Sequence, residues 1–145
     1  MRFAILALLA LSAFGADPAP LATAIKSGQR AAALDMLAKK SGDVNAVETD
    51  GSTALLWAAN LNDTDLVSRL IKAGANAKAK NQLGSTPLSE AVYNSNTEMV
   101  KVLLDAGADP NATGPDGQTP LMVVAKTSNV AIAKLLLAEA KKGRK

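Results

Sequence analysis

Three stretches of this chain fall on one 33-residue register: Thr53-Ala54-Leu55, Thr86-Pro87-Leu88 and Thr119-Pro120-Leu121. Each follows a glycine-bearing turn and opens an alanine-containing segment of helical character. A fixed period of that length means one small unit, copied and stacked, and stacks of this kind mostly bind other proteins rather than catalyse. The register therefore speaks for the class of protein and is silent on the partner.

The second copy spans residues 52–84 and the third 85–117, while a fourth begins at Gln118 and closes after its second helix, near residue 140. A degenerate first copy begins near Ala19-Pro20-Leu21 and ends at Gly51. Its helices lie 34 residues before those of the second copy, but Asp43 lies 33 before Asn76, so one extra residue sits between Ala38 and Gly42. Leu66, Val67, Leu70 and Ile71 make an i, i+1, i+4, i+5 pattern, which is one stripe of a helix. The same stripe returns as Met99, Val100, Leu103 and Leu104, as Ile132, Ala133, Leu136 and Leu137, and earlier as Ala32, Ala33, Met36 and Leu37. The pattern predicts one buried face, repeated four times.

Helix boundaries are legible too. Ser95-Asn96-Thr97-Glu98 has the form of a capping box at the start of a second helix, and Asn62 with Asp65 offers a weaker version. Gly74 and Gly107 follow the last apolar residues, as left-handed C-caps do. Asp50-Gly51 and Asp116-Gly117 mark tight turns between units. A single unit buries too little apolar surface to offset the entropy of ordering it, so the units must stack. The outer units should then be solvent-facing caps. The first is alanine-rich, and the last ends in lysine and arginine.

The first 15 residues do not read as part of the fold. Arg2 precedes an apolar run of 12 residues, Phe3 to Phe14, and Ala13-Phe14-Gly15 places small residues at −3 and −1 of a cut before Ala16. That is the form of a secretory signal peptide. The run is shorter than the ~20 residues a spanning helix needs. Export is therefore expected, and residues 16–145 are the expected mature domain. Cysteine is absent, so disulfides and a lipid-bearing cysteine are both excluded. A soluble, exported domain without disulfides suits the periplasm of a Gram-negative bacterium, or secretion otherwise. Lysine and arginine number 16 against 13 acidic residues. Four of those positives stand in the last five residues, Lys141 to Lys145, so the high pI of about 9.3 reflects a tail more than a basic face.

These residues carry a family resemblance. Thr86-Pro87-Leu88, the run from Leu103-Leu104-Asp105-Ala106-Gly107 to Ala108-Asp109-Pro110-Asn111-Ala112, and Asp116-Gly117-Gln118-Thr119-Pro120-Leu121 resemble the pattern of ankyrin repeats. The likeness covers about residues 19–140. It implies an all-α repeat solenoid of about four stacked helix-turn-helix units joined by β-turn fingers, with fingers and first helices lining a concave binding surface. Two departures stand out. The histidine usual after Thr-Pro-Leu is replaced by Ala22, Leu56, Ser89 and Met122. The glycine usual between the two helices survives as Gly28 but is Asn62, Ser95 and Ser128 elsewhere. Both imply a fold of moderate stability.

The chemistry of catalysis has little to work with. The chain has neither histidine nor cysteine, no Gly-x-Ser-x-Gly elbow and no phosphate loop. Its carboxylates fall at caps, turns and exposed helix positions, with no spacing that marks an acid/base pair or a metal site. No cofactor and no enzymatic activity are expected. Asn62-Asp63-Thr64 and Asn111-Ala112-Thr113 fit the glycosylation tripeptide, a pattern common by chance.

What the resemblance implies for binding falls on the fingers and first-helix ends. The finger positions are Thr49, Asp50 and Ser52, then Gln82, Leu83 and Ser85, then Pro115, Asp116 and Gln118. The helix-end positions are Asn60 and Leu61, Tyr93 and Asn94, Lys126 and Thr127. Apolar residues among polar neighbours mark contact sites better than charges do, so Leu61, Leu83 and Tyr93 lead. Trp57, the sole tryptophan, stands where other copies have Thr23, Glu90 and Val123. A position that accepts glutamate is not fully buried, which leaves Trp57 open to either core packing or partner contact. Asp50 and Asp116 read as turn formers.

The expected function is an exported, monomeric, non-enzymatic adaptor, inhibitor or protector that binds a protein through the concave face. The alternative is a protein held weakly at an envelope or membrane surface by its basic tail. Nucleic acid is not an expected partner.

Overall fold

The computed structural model of the chain describes residues 17–143. The expected signal peptide, its cut before Ala16, and Arg144 and Lys145 of the tail lie outside the described residues. Eight helices among the described residues form four hairpins. They are α1 (Pro20–Lys26) with α2 (Arg30–Ala38), α3 (Ala54–Asn60) with α4 (Thr64–Lys72), α5 (Pro87–Tyr93) with α6 (Thr97–Asp105), and α7 (Pro120–Thr127) with α8 (Val130–Lys142). First helices pack against first helices and second against second, giving two parallel rows. No helix among the described residues is long and apolar enough to cross a membrane.

The recurring threonine starts the first helix of each later unit. Thr53, Thr86 and Thr119 sit in extended backbone, and their hydroxyls accept from the amides of Leu56, Ser89 and Met122 at 3.2, 3.1 and 3.3 Å. Proline follows in α5 and α7, where its fixed φ suits the first helical position. The structure places the one reciprocal capping box among the described residues at Thr86 and Ser89, not at Ser95. The second helices are capped one residue later than the spacing predicts. Asp63, Asn96 and Asn129 accept from Leu66, Met99 and Ile132 at 3.0, 2.9 and 3.2 Å.

The reason lies one residue back. Asn62, Ser95 and Ser128 take φ of 60, 53 and 56°, the left-handed conformation that Gly28 takes in the first unit. A residue reversing the chain between helices cannot also serve as the next helix's N-cap. Left-handed backbone costs an L-residue about 1–2 kcal/mol, part of which glycine forfeits through its freer unfolded chain. Neither Ser95 nor Ser128 makes a side-chain bond among the described residues to set against that strain. Ser95→Gly and Ser128→Gly are each expected to stabilise by about 0.5 kcal/mol, together raising the melting temperature by a few degrees. A lower melting temperature in thermal denaturation would contradict the strain.

At the other end of the hairpins, Gly74 and Gly107 close α4 and α6 as expected. Gly74 and Ala75 donate to Ile71 and Leu70, and Gly107 and Ala108 to Leu104 and Leu103, each at 3.0 Å. This paired pattern is a Schellman motif.

The apolar stripe is buried fully only where a unit has neighbours on both sides. Met99, Val100, Leu103 and Leu104 are at most 4% exposed. In α2 only Ala33 is buried, with Met36 and Leu37 half-buried and Ala32 exposed. In α8 Ile132 and Leu136 are buried, but Leu137 is 49% exposed. The first unit behaves as a cap of small alanines, with Ala31, Ala32 and Ala38 facing water. The last unit does not form the polar cap its charges imply. Lys141 and Lys142 continue α8, with the Lys142 ammonium 2.8 Å from Glu139, while Met122, Val130 and Leu137 remain exposed. The charges cluster at a helix end, whereas a cap needs them spread along a face.

Candidate protein-binding surface

Ahead of α3, α5 and α7 the chain makes the same turn three times. Glu48, Asn81 and Gly114 donate to Ser52, Ser85 and Gln118 at 2.9, 3.1 and 2.9 Å, and Gly51, Gly84 and Gly117 return bonds to their carbonyls. Asp50 Oδ1 accepts from the Ser52 amide and Asp116 Oδ1 from that of Gln118, which accounts for both aspartates as turn formers. Both are held below the usual carboxylate range. For Asp50 the main cause is the Ser52 amide, and for Asp116 the Tyr93 hydroxyl.

The fingers are tied to one another. Gln82 donates its amide to Asp50 O at 2.9 Å and its side-chain nitrogen to Thr49 O at 3.0 Å. Asn81 Nδ2 reaches Ser52 Oγ at 3.1 Å. A Cβ on Gly51 would lie 3.4 Å from Asn81 Cα, and one on Gly84 3.5 Å from Pro115 Cα. Backbone stacks on backbone, and the fingers make a rail beside the row of first helices.

The sequence-predicted contact residues divide by what they already do. Leu83 at a finger tip is 71% exposed and Leu61, just past α3, is 50% exposed. The Leu83 amide closes its finger on Asn81, but neither side chain is needed by the fold. Tyr93, 41% exposed, serves the third finger as well. Its ring and hydroxyl lie so close to Gly114 that a Cβ there would meet Tyr93 Oη at 3.2 Å. Desolvation first, and then the neighbouring Asp116 carboxylate, push its phenol up to about 12. Three polar candidates are cross-unit ties. Gln82 is one, Asn60 donates to Glu90 Oε2 at 3.0 Å, and Asn94 donates to Ala59 O at 3.2 Å. Lys126 lies exposed on α7.

Trp57 is half-buried, and its surroundings were not visible in the spacing. Its Nε1 donates to Glu48 Oε2 at 2.8 Å, across the turn of the first finger. Lys26, from the end of α1, places its ammonium 4.8 Å from the centre of the Trp57 ring and 3.3 Å from Glu48 Oε2. Thr23 Oγ1 donates to Glu48 Oε1 at 3.2 Å. The available signal was the register itself, which aligns Glu48 with Asn81 and Gly114 and Lys26 with Asn60 and Tyr93.

Charge is unevenly distributed. Fingers and first helices carry four carboxylates, Glu48, Asp50, Glu90 and Asp116, against two lysines, Lys26 and Lys126. The chain's net charge is nonetheless +3. Its remaining positives sit on second helices, connecting loops and the two termini. No group of three or more potential metal ligands occurs among the described residues. The arrangement can recognise a surface by shape, apolar contact and charge.

An uninterrupted pile of helical hairpins, with a rail of hydrogen-bonded turns along one edge, is a repeat scaffold for recognition. A family model of ankyrin repeats in three copies matches residues 21–114, and one for a single ankyrin repeat matches residues 116–143. The fold is similar to that of an ankyrin repeat domain from Acinetobacter baumannii AYE, at a TM-score of 0.75 and 32% identity, over 87% of this chain and 70% of that one. The chain belongs to the ankyrin repeat family, whose members are generally non-enzymatic scaffolds for protein–protein interaction. No curated protein matches it.

Proposed function

We propose that the chain is an exported, monomeric module that holds a protein partner against its fingers and first helices, as an adaptor, inhibitor or protector. The observation that carries this reading is the exposure of Leu83 and Leu61, two large apolar side chains the scaffold does not use. Isolated exposed leucines are ordinary, but Leu83 stands on a finger braced against its neighbours, and Leu61 closes the far end of a first helix in the same row. A braced surface loses little entropy on binding, which favours recognition without rearrangement. Export rests on the signal-like leader and the absence of cysteine.

The test uses the chain as bait in an extract of the exported fraction of its own cells. Leu61→Ser with Leu83→Ser should weaken capture about thirtyfold, in keeping with two apolar contacts at a binding surface, while leaving the melting temperature within a degree or two. Tyr93 is kept intact in this variant because its hydroxyl and ring support the third finger. Equal capture by both proteins would remove the binding site from these positions.

A further inference from the structure

The Trp57 and Glu48 pair has the chemistry of a seat for a cation, and the chain already fills it with a cation of its own. An indole face attracts a positive charge through its quadrupole, and a carboxylate beside it adds direct attraction. Here the Lys26 ammonium takes both, at 4.8 Å from the ring centre and 3.3 Å from Glu48 Oε2. Glu48 is prepared for this role. Its side chain is only 13% exposed and is fixed by Trp57 Nε1 at 2.8 Å and Thr23 Oγ1 at 3.2 Å. The Lys26 side chain is by contrast 48% exposed. A fixed, largely desolvated carboxylate is thus paired with a half-exposed lysine, so the carboxylate keeps its need for a cation while the lysine can give up its place to another.

The surroundings suit an incoming cation. A recess of about 360 Å³ adjoins Lys26 and Glu48 and also carries Asp17 and Asp50. The surface continues with Glu90 and Asp116, so acidic groups outnumber basic ones along its length. Arginine fits the seat better than lysine, because its planar guanidinium stacks on an indole and meets a carboxylate with two nitrogens.

We propose that the Trp57–Glu48 pair receives an arginine side chain of the protein partner, and that Lys26 holds the seat until that arginine replaces it. This rests on the concave-face reading above and adds the chemistry of the partner: a basic segment that presents an arginine. Its binding is expected to weaken with salt, since exposed charge pairs are screened over ~8–10 Å at ordinary ionic strength.

Trp57 is the chain's sole tryptophan, so its fluorescence reports on this seat alone. The probe is a blocked tetra-arginine peptide, with a blocked tetra-glutamate peptide as control. The arginine peptide should change the emission saturably and the glutamate peptide should not. Lys26→Met keeps the aliphatic stem on the ring but empties the seat of charge, and should tighten arginine binding about fivefold, the strength of one exposed cation–π contact with its ion pair. Glu48→Gln keeps a partner for Trp57 and Thr23 and should weaken binding at least as much. Unchanged affinity in Lys26→Met, or full affinity in Glu48→Gln with an unaltered melting curve, would overturn the seat.

The same variants used as bait separate the two proposals. Capture lost with Leu61→Ser/Leu83→Ser but intact with Glu48→Gln would overturn the arginine seat and leave the binding surface standing. Capture intact in both would overturn both.

Discussion

Leu104→Ala is expected to destabilise the protein by about 3 kcal/mol and lower its melting temperature by about 10 °C, whereas Leu137→Ala should cost less than about 1 kcal/mol. The two leucines occupy the same register position one unit apart, in second helices of similar sequence. Leu104 is 4% exposed because α8 covers it, while Leu137 is 49% exposed because no described unit follows. Truncation at Leu104 therefore removes buried surface and leaves a void beside Met99, Val100 and Leu103, which are themselves buried on the same helix. At Leu137 the lost methyl groups already meet water. Comparing the two by chemical denaturation isolates the contribution of the neighbouring unit. Equal losses would mean that each unit is stabilised from within, contrary to a stack.

Gly84→Val should have an effect of similar size, about 3 kcal/mol, reached by a different route. Gly84 has φ of +86°, which is unfavourable for any side chain and worse for one branched at Cβ. Its Cβ alone would sit 3.5 Å from Pro115 Cα and 3.6 Å from Gly114 O, so the methyl groups of valine would press into the third finger. Gly117 has φ of +72°, but a Cβ there would meet nothing within 4 Å, so Gly117→Val should suffer the backbone strain without the collision. The difference between the two variants measures finger stacking. Gly84→Val should also weaken partner capture, since it displaces Leu83 and Pro115 together. Equal destabilisation at both glycines would show that the fingers do not brace one another.

Much of this architecture was legible from spacing. The threonine at the first helix of each later unit, the glycines after α4 and α6, and the four-fold stripe all follow from local chemistry that repeats with the period. Two features escaped for physical reasons. Burial at the ends of the stack depends on a neighbour's presence, which no property of Leu137 or Met122 reveals. Ser95 satisfied two competing patterns, the start of a capping box and the left-handed residue between helices. The register favoured the second, since Gly28, Asn62 and Ser128 share its place, and the backbone agrees. Leu61, Leu83 and Tyr93 are exposed, as their places in the register suggest, but the structural duties of Tyr93, Gln82, Asn60 and Asn94 were not readable. Gln82, Asn60 and Asn94 each reach a group on another unit, which depends on how the units are stacked, and Tyr93 reaches the finger at the far end of its own unit. The Trp57–Glu48–Lys26 cluster was hidden for the same reason. It joins two first helices and a finger, and only the turn at Asp50-Gly51 folds Glu48 back onto the indole.

Recognition by the fingers and first helices can be put to the test by amide hydrogen exchange, on the chain alone and with its captured partner. Slowed exchange is expected at residues 48–52, 81–85 and 114–118 and at the ends of α3 and α5, with α4, α6 and α8 unchanged. Protection confined to the second helices or to the basic tail would contradict that mode of binding.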